Sequence, residues 1–285
     1  MLPWWLLALL SSATAACDAG LNRYFRAEPW GLALWASVAQ SVILAPVLFF
    51  APDWSVLFLA AAVLGGALLT IFDVTIFRVA AEYGGAAIPR VLAARVWMTF
   101  MIWAAIDWPH TAALLAEPAR ALGILGSLTA AAVCAAVMNR CPATRTVAVA
   151  LLPALGATVA QAILLKLALT TVAPALSSAA LYALVTSAVE AALCAALMAR
   201  RGRRIALRPY LPAAAVMGAT SAGTITLRFG AFVGAPNPGY IYAIALLSAV
   251  WLWAWHALRG IPDGRSPWAG LGLVASAAVL IWLAR

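Results

Sequence analysis

Residues 55–79 read SVLFLAAAVLGGALLTIFDVTIFRV, a run in which only Asp73 and Arg78 can carry a charge. A helix needs about 20 apolar residues to cross bilayer hydrocarbon, and this run is longer than that. It shows no alternation of apolar and polar positions, and a backbone in hydrocarbon must satisfy its own hydrogen bonds, so it reads as a spanning α-helix. The rest of the chain has the same character. Of its 285 residues 66% are hydrophobic and 9% charged, with a mean hydropathy of +1.00, whereas soluble domains carry roughly 45–50% apolar and about 25% charged residues. Such an excess of apolar surface excludes a water-soluble globular protein.

Cutting at proline, glycine and charge clusters extends the reading to ten apolar runs, near 3–25, 30–50, 55–79, 86–106, 118–138, 146–168, 175–199, 209–233, 238–258 and 267–284. The breaks fall at Glu28-Pro29, Ala51-Pro52-Asp53, Trp108-Pro109, Glu117-Pro118, Cys141-Pro142, Arg208-Pro209 and Ile261-Pro262-Asp263-Gly264, each joining a proline to polar neighbours. Leu2–Leu10 followed by Thr14-Ala15-Ala16-Cys17 has the look of a cleaved leader, but no Lys or Arg precedes it and the apolar run continues through Leu21, so it reads as the first helix. Trp4, Trp5, Trp30, Trp54, Trp108, Trp268 and Trp282 stand at run ends, at headgroup level. The expected fold is all-α, with ten transmembrane helices.

The net charge of +9 comes from 17 arginines and Lys166 against nine acids. Most of the arginines sit in short connections, where their simplest job is orientation rather than binding nucleic acid. Arg23, Arg26, Arg140, Arg145, Arg200, Arg201, Arg203, Arg204, Arg208, Arg259 and Arg265 follow the first, fifth, seventh and ninth runs, and Arg120 and Arg285 lie opposite. Read alone, that bias places both termini away from the cytoplasm. Cys17, Cys134, Cys141 and Cys194 are isolated, and His110 and His256 are far apart near run ends, so neither a metal site nor a disulfide framework is expected.

The second half echoes the first at a nearly constant offset. The stretch from Ala13 to Phe25 lines up with Gly156 to Ala168, so that Gln161 and Lys166 take the places of Asp18 and Arg23. Arg78-Val79-Ala80-Ala81-Glu82-Tyr83-Gly84-Gly85 sits opposite Arg228-Phe229-Gly230-Ala231-Phe232-Val233-Gly234-Ala235, and Leu122-Gly123 with Ser127 matches Leu271-Gly272 with Ser276. The last pair gives faces of small residues on which helix backbones can approach. The chain therefore reads as two five-helix units, 1–141 and 142–285. An odd number of crossings per unit turns the second upside down, so the units are inverted repeats, which in transporters hold a substrate site at their interface.

Ten helices split five plus five, with Ala81-Glu82-Tyr83-Gly84-Gly85-Ala86 running into the fourth helix and Leu258-Arg259-Gly260 leading to Ser266-Pro267-Trp268-Ala269-Gly270-Leu271-Gly272, resemble the drug/metabolite transporter superfamily, in particular its EamA-like branch. The acidic-proline step that many EamA-like proteins carry in the fourth and ninth helices is absent, the corresponding residues being Arg95-Val96-Trp97 and Ala245-Leu246-Leu247. The resemblance implies a multi-pass secondary transporter, and it implies cytoplasmic termini, against the arginine count. The expected location is the cell inner (plasma) membrane.

Ionisable groups inside hydrocarbon are costly, and those that remain usually face a cavity. Asp18, Asp73, Arg78, Arg90, Arg95, Glu190 and Arg228 form the embedded set, with Lys166 near an end. Asp18 and Arg23, Asp73 and Arg78, and Arg90 and Arg95 are each five residues apart, about 140° around the axis, so they do not pair on one face. Arg95, Arg78 and Arg228 are candidates for binding a carboxylate or phosphate on a substrate, with Asn22 and Gln161 adding hydrogen bonds from the repeat-related first and sixth helices. For Arg95 the competing reading is an ion pair with Asp73 or Glu190; for Arg78 and Arg228 it is snorkelling to the interface. Thr186, Ser187, Glu190 and Cys194 make a polar stripe on the seventh helix, and Ser37, Gln40 and Ser41 a weaker one on the second. Desolvation favours the neutral form of a carboxyl group, which suits Glu190, Asp18 and Asp73 to taking up and releasing protons. Trp97 and Trp103 read as packing or lipid-facing groups, and Tyr240, Tyr242, Trp251, Trp253 and Trp255 point to different faces of one helix.

The expected function is secondary transport: export of a small polar metabolite, amino-acid-like, zwitterionic or anionic, by proton exchange, in a monomer or homodimer and without a cofactor. The alternative is a flippase for a lipid-linked intermediate, whose phosphate would suit Arg78, Arg95 and Arg228. No phosphate-binding glycine loop, HExxH or paired nucleophile and base appears, so neither ATP hydrolysis nor an intramembrane enzyme is expected.

Overall fold

Prolines start helices in this chain as often as they stop them. Pro29, Pro109, Pro118, Pro212, Pro238 and Pro267 each occupy the first or second position of a helix, where a missing N–H leaves no bond unmade and the fixed φ suits the first turn. The resulting elements, in a computed structural model, are α1 (Trp4–Phe25), α2 (Pro29–Leu44) continued by a 3-10 turn (Ala45–Phe49), α3 (Val56–Tyr83), α4 (Ile88–Leu92), α5 (Arg95–Ile106), α6 (Trp108–Leu115), α7 (Pro118–Met138), α8 (Arg145–Leu169), α9 (Leu176–Arg200), α10 (Leu211–Gly234), α11 (Pro238–Ala245), α12 (Ser248–Leu258) and α13 (Pro267–Leu283). No strand occurs among the described residues.

The structure describes residues 2–25, 29–50, 55–83, 88–138, 144–172, 176–202, 206–208, 210–261 and 264–284, without the side chains of 18–25, 29, 77, 80, 81 and 89. The site roles expected of Asp18 and Asn22, the orienting charges Arg23, Arg26, Arg140, Arg203, Arg204 and Arg285, and the breaks at Ala51-Pro52-Asp53, Cys141-Pro142 and Pro262-Asp263 lie outside it. So does the Gly84-Gly85-Ala86 exit.

Six helical stretches are long and apolar enough to cross a membrane: Trp30–Phe49, Val56–Ile76, Pro118–Met138, Arg145–Leu169, Leu176–Arg200 and Pro238–Leu258. A seventh is the pair Arg90–Ile106 and Trp108–Leu115, bent by 105° at its break, and Trp4–Cys17 and Pro267–Leu283 are shorter apolar helices. The outer surface agrees: Phe49, Val56 and Trp268 are 87%, 86% and 79% exposed, a cost in water that hydrocarbon removes. Arg201 and Arg259 stack on Trp30 and Trp255 at 4.6 and 4.5 Å. Each is the first residue past its helix and is followed by a glycine at φ 65°, Gly202 and Gly260, a left-handed turn that other residues enter at a cost.

The helices pack in antiparallel pairs. On α2 and α9, Trp30 lies near Arg201 while Gln40 meets Ser187. On α7 and α13, Arg120 reaches the Leu283 carbonyl and Gly272 abuts Cys134. On α5 and α11, Asn237 donates to the Phe100 carbonyl while Arg95 meets Tyr242. Further contacts join α1 to α10, α3 to α8, α10 to α2 and α3 to α9. Small residues set the separations. A Cβ on Gly123 would sit 2.5 Å from Leu283, and one on Gly272 2.6 Å from the Cys134 sulfur. Ser127 and Ser276 return their hydroxyls to the Gly123 and Gly272 carbonyls at 2.8 and 2.7 Å, which hides their polarity within each helix.

At the crossing of α10 and α2, a Cβ on Gly218 would lie 2.5 Å from Ala39 Cβ and 2.9 Å from the Ala36 carbonyl oxygen. Backbone cannot yield as a side chain can, so Gly218→Val is expected to destabilise the bundle by about 1–3 kcal/mol. A lowered thermal unfolding midpoint in detergent checks this, and an unchanged midpoint contradicts the close packing.

Candidate functional site

Two breaks divide long helical stretches. Between α4 and α5 the Ala94 N–H donates to the Val91 carbonyl at 3.2 Å, and between α11 and α12 the Leu247 N–H donates to the Ile244 carbonyl at 3.0 Å. Such i to i+3 bonds tighten a helix into a turn. Arg95 is the first residue of α5, immediately beyond its break.

The Arg95 guanidinium lies over the Tyr242 ring, 4.6 Å from its centroid. Tyr242 is fixed from below: its hydroxyl donates to the Thr158 carbonyl at 2.9 Å and lies 3.1 Å from the Thr158 hydroxyl, while Phe232 meets the ring edge-on. Arg228 of α10 is within electrostatic reach of Arg95, and its Nε donates to Ser11 of α1 at 3.3 Å. Arg95 Nε is buried with no hydrogen-bond partner among the described residues. Asp73 and Glu190 do not neutralise it, because they face each other.

That acidic pair lies where α2, α3 and α9 meet. Glu190 is 2% exposed, and its carboxyl lies within hydrogen-bonding reach of Asp73 and Ser37. Its Oε1 atom has no partner among the described residues. The two polar stripes close the cluster, Gln40 Nε2 donating to the Ser187 hydroxyl at 2.6 Å and Ser187 in turn to the Ala183 carbonyl.

The other expected site residues divide. Gln161 is buried one turn beyond Thr158 on α8, with its Nε2 unpartnered among the described residues. Arg78 and Arg90 are exposed, and no described contact joins either to Arg95. Lys166 donates to the Phe232 and Ala235 carbonyls, each at 2.8 Å, the arrangement by which a cation closes a helix C-terminus. Lys166→Met is therefore expected to cost about 1.5–3 kcal/mol of stability, read as a lower unfolding midpoint.

Sequence reasoning missed Thr99 and read Trp103 as a packing or lipid-facing group. Both are buried, and Thr99 Oγ1 and Trp103 Nε1 lack partners among the described residues, so of the two readings of Trp103 it is packing that the structure bears out. Their spacing from Arg95, four and eight residues, was the available signal. Tyr242 belongs to no stacking platform, but alone it carries Arg95. Trp251 uses its N–H on Ser12 at 2.9 Å.

No family model matches the chain, and no curated protein does. A solved protein crystal structure superposes with a TM-score of 0.64 over 99% of this chain and 97% of its own, at 18% identity. At that identity the likeness is one of fold alone.

Proposed function

We propose that the chain is a secondary transporter for a small polar metabolite bearing a negative group, exporting it by proton exchange. Arg95 carries the reading: a guanidinium inside the bundle, backed by an aromatic ring and facing a second arginine, has its charge uncompensated by Asp73 or Glu190. A buried cation of this kind is costly until an anion arrives, so the site favours a carboxylate or phosphate. Gln161 supplies a further donor, and Glu190 with Asp73 holds the exchangeable proton.

The architecture supports this reading. Counting α1, α2, α3, α4/α5 and α7 as one unit and α8, α9, α10, α11/α12 and α13 as the other gives ten crossings in two repeats. Exchanging the repeats maps the pairing of α1 with α10 onto that of α8 with α3, and the pairing of α2 with α10 onto that of α9 with α3. The pair α2 with α9, the pair α7 with α13, and the broken helix α4/α5 with the broken helix α11/α12 map onto themselves, and each runs antiparallel. That is the pattern of inverted repeats, whose interface in transporters holds the substrate, and Arg95 stacking on Tyr242 lies across it. The resemblance to EamA-like proteins points the same way, and a cell inner membrane location follows from it.

The test is reconstitution. Proteoliposomes carrying the chain, loaded with a mixture of cell metabolites, should release a subset of anionic or zwitterionic compounds when a proton gradient is imposed. Release identical to protein-free liposomes would remove the reading.

A further inference from the structure

Six buried polar side-chain atoms lack partners among the described residues: Arg95 Nε, Thr99 Oγ1, Trp103 Nε1, Gln161 Nε2, Thr226 Oγ1 and Glu190 Oε1. Three of them, the arginine, tryptophan and glutamine nitrogens, can only donate, and the two hydroxyls can donate. Arg95, Thr99 and Trp103 are spaced at four residues along α5, so they lie on one face and cover about 12 Å of helix. Gln161 adds its donor from α8, which packs on α5. At the far end of the row the Trp103 ring is 6.0 Å from Lys166 Nζ, and Lys166 lines a cavity of about 230 Å³ with Leu169, Thr170, Val172 and Val233. Buried donors left without acceptors each cost about 1–3 kcal/mol, and a row of them is matched by a ligand rich in acceptor oxygens.

Tyr242 fixes how such a ligand meets Arg95. Its ring holds the guanidinium with Cζ 4.6 Å from the ring centroid, and the Nε–H, unpartnered among the described residues, is left for a ligand. A planar oxyanion meets the Nε edge with two parallel hydrogen bonds. A lysine ammonium, being a point charge, cannot reproduce them.

Resting on the transporter reading, the geometry points to an extended oxyanion substrate. One carboxylate or phosphate binds side-on to the Nε edge of Arg95, with Tyr242 as the positioning residue. A second acceptor group lies about one helical turn away along α5, at Thr99 and Trp103. This excludes cations and neutral amides from the site and makes a short dicarboxylate a better ligand than a monocarboxylate.

The experiment measures binding to the full chain in lipid nanodiscs, with succinate, acetate, inorganic phosphate and neutral succinamide as probes. Succinate is expected to bind more tightly than acetate or phosphate, and succinamide not at all. Thr99→Val, which is isosteric, and Trp103→Phe, which keeps an aromatic ring but removes the indole N–H, should each weaken succinate by about 3–10-fold and affect acetate far less. Arg95→Lys and Tyr242→Leu should weaken every oxyanion by about tenfold or more, with Tyr242→Phe, which keeps the ring, restoring affinity to within about threefold. Failure of the wild type to bind any oxyanion, or phosphate binding as tightly as succinate and insensitive to Trp103→Phe, would overturn the proposal. Two further results separate the proposal from the reading beneath it. If Arg95→Ala binds like the wild type, the transporter site itself is misplaced. If Arg95→Ala abolishes binding while Arg95→Lys and Tyr242→Leu do not weaken it, the anion site stands and the side-on geometry falls.

Discussion

Arg95→Ala is expected to abolish substrate-dependent flux in proteoliposomes while the protein still folds. Loss of one partner from a buried, charge-assisted contact costs about 2–5 kcal/mol, and each 1.4 kcal/mol is a factor of ten in affinity. The half-saturating substrate concentration should therefore rise by roughly 30- to several-thousand-fold. Folding should survive because Arg95 makes no described ion pair: its recorded neighbours are the Tyr242 ring and the like charge of Arg228, and removing one of two neighbouring cations relieves repulsion. An unfolding midpoint equal to or above the wild type, together with lost flux, is the expected pair of results. A midpoint that collapses with the flux would make Arg95 a structural residue instead.

Glu190→Gln is expected to uncouple flux from the pH gradient. The amide keeps the shape and the contact with Ser37 but cannot gain or lose a proton. Wild-type efflux should accelerate when protons are more concentrated on the receiving side, and the variant should run at one rate with or without the gradient. Asp73 lies within hydrogen-bonding reach of Glu190, so the two carboxyls act as one unit. Asp73→Asn should then give the same uncoupling, and the double variant should be no worse than either single one, the non-additivity expected of groups that work together. Gradient-dependent flux in both single variants would take the proton out of this pair.

Most helix positions were legible because a bilayer leaves the chain few options: the ten apolar runs begin and end within a few residues of the observed helices. The internal breaks were not. Ala93-Ala94 and Leu246-Leu247 are good helix formers, and nothing local announces a turn there; packing imposes it. α6 was read as a connection because Asp107-Trp108-Pro109-His110 looks like a helix stop, yet proline after a polar residue also starts one. The polar stripes of α2 and α9 were legible from i, i+3 and i+4 spacing, and they do meet. Partner choice was not. Asp73 and Glu190 were each a plausible counter-ion for Arg95, but spacing along one helix says nothing about which neighbour another helix presents. Trp103 stayed open between packing and a lipid-facing place for the same reason: burial of an indole N–H depends on the neighbouring helices, not on its own.

A single-cysteine chain tests the account most directly, with Cys17, Cys134, Cys141 and Cys194 replaced, Thr99→Cys introduced, and a membrane-impermeant thiol reagent applied to either face of sealed vesicles. Thr99 is fully buried beside Arg95 in the structure, so only a site that opens in turn to each side can be labelled from both. Two-sided labelling, slowed by succinate, is the predicted result. Labelling from one face alone, or from neither, would contradict a transport site at the junction of the two halves.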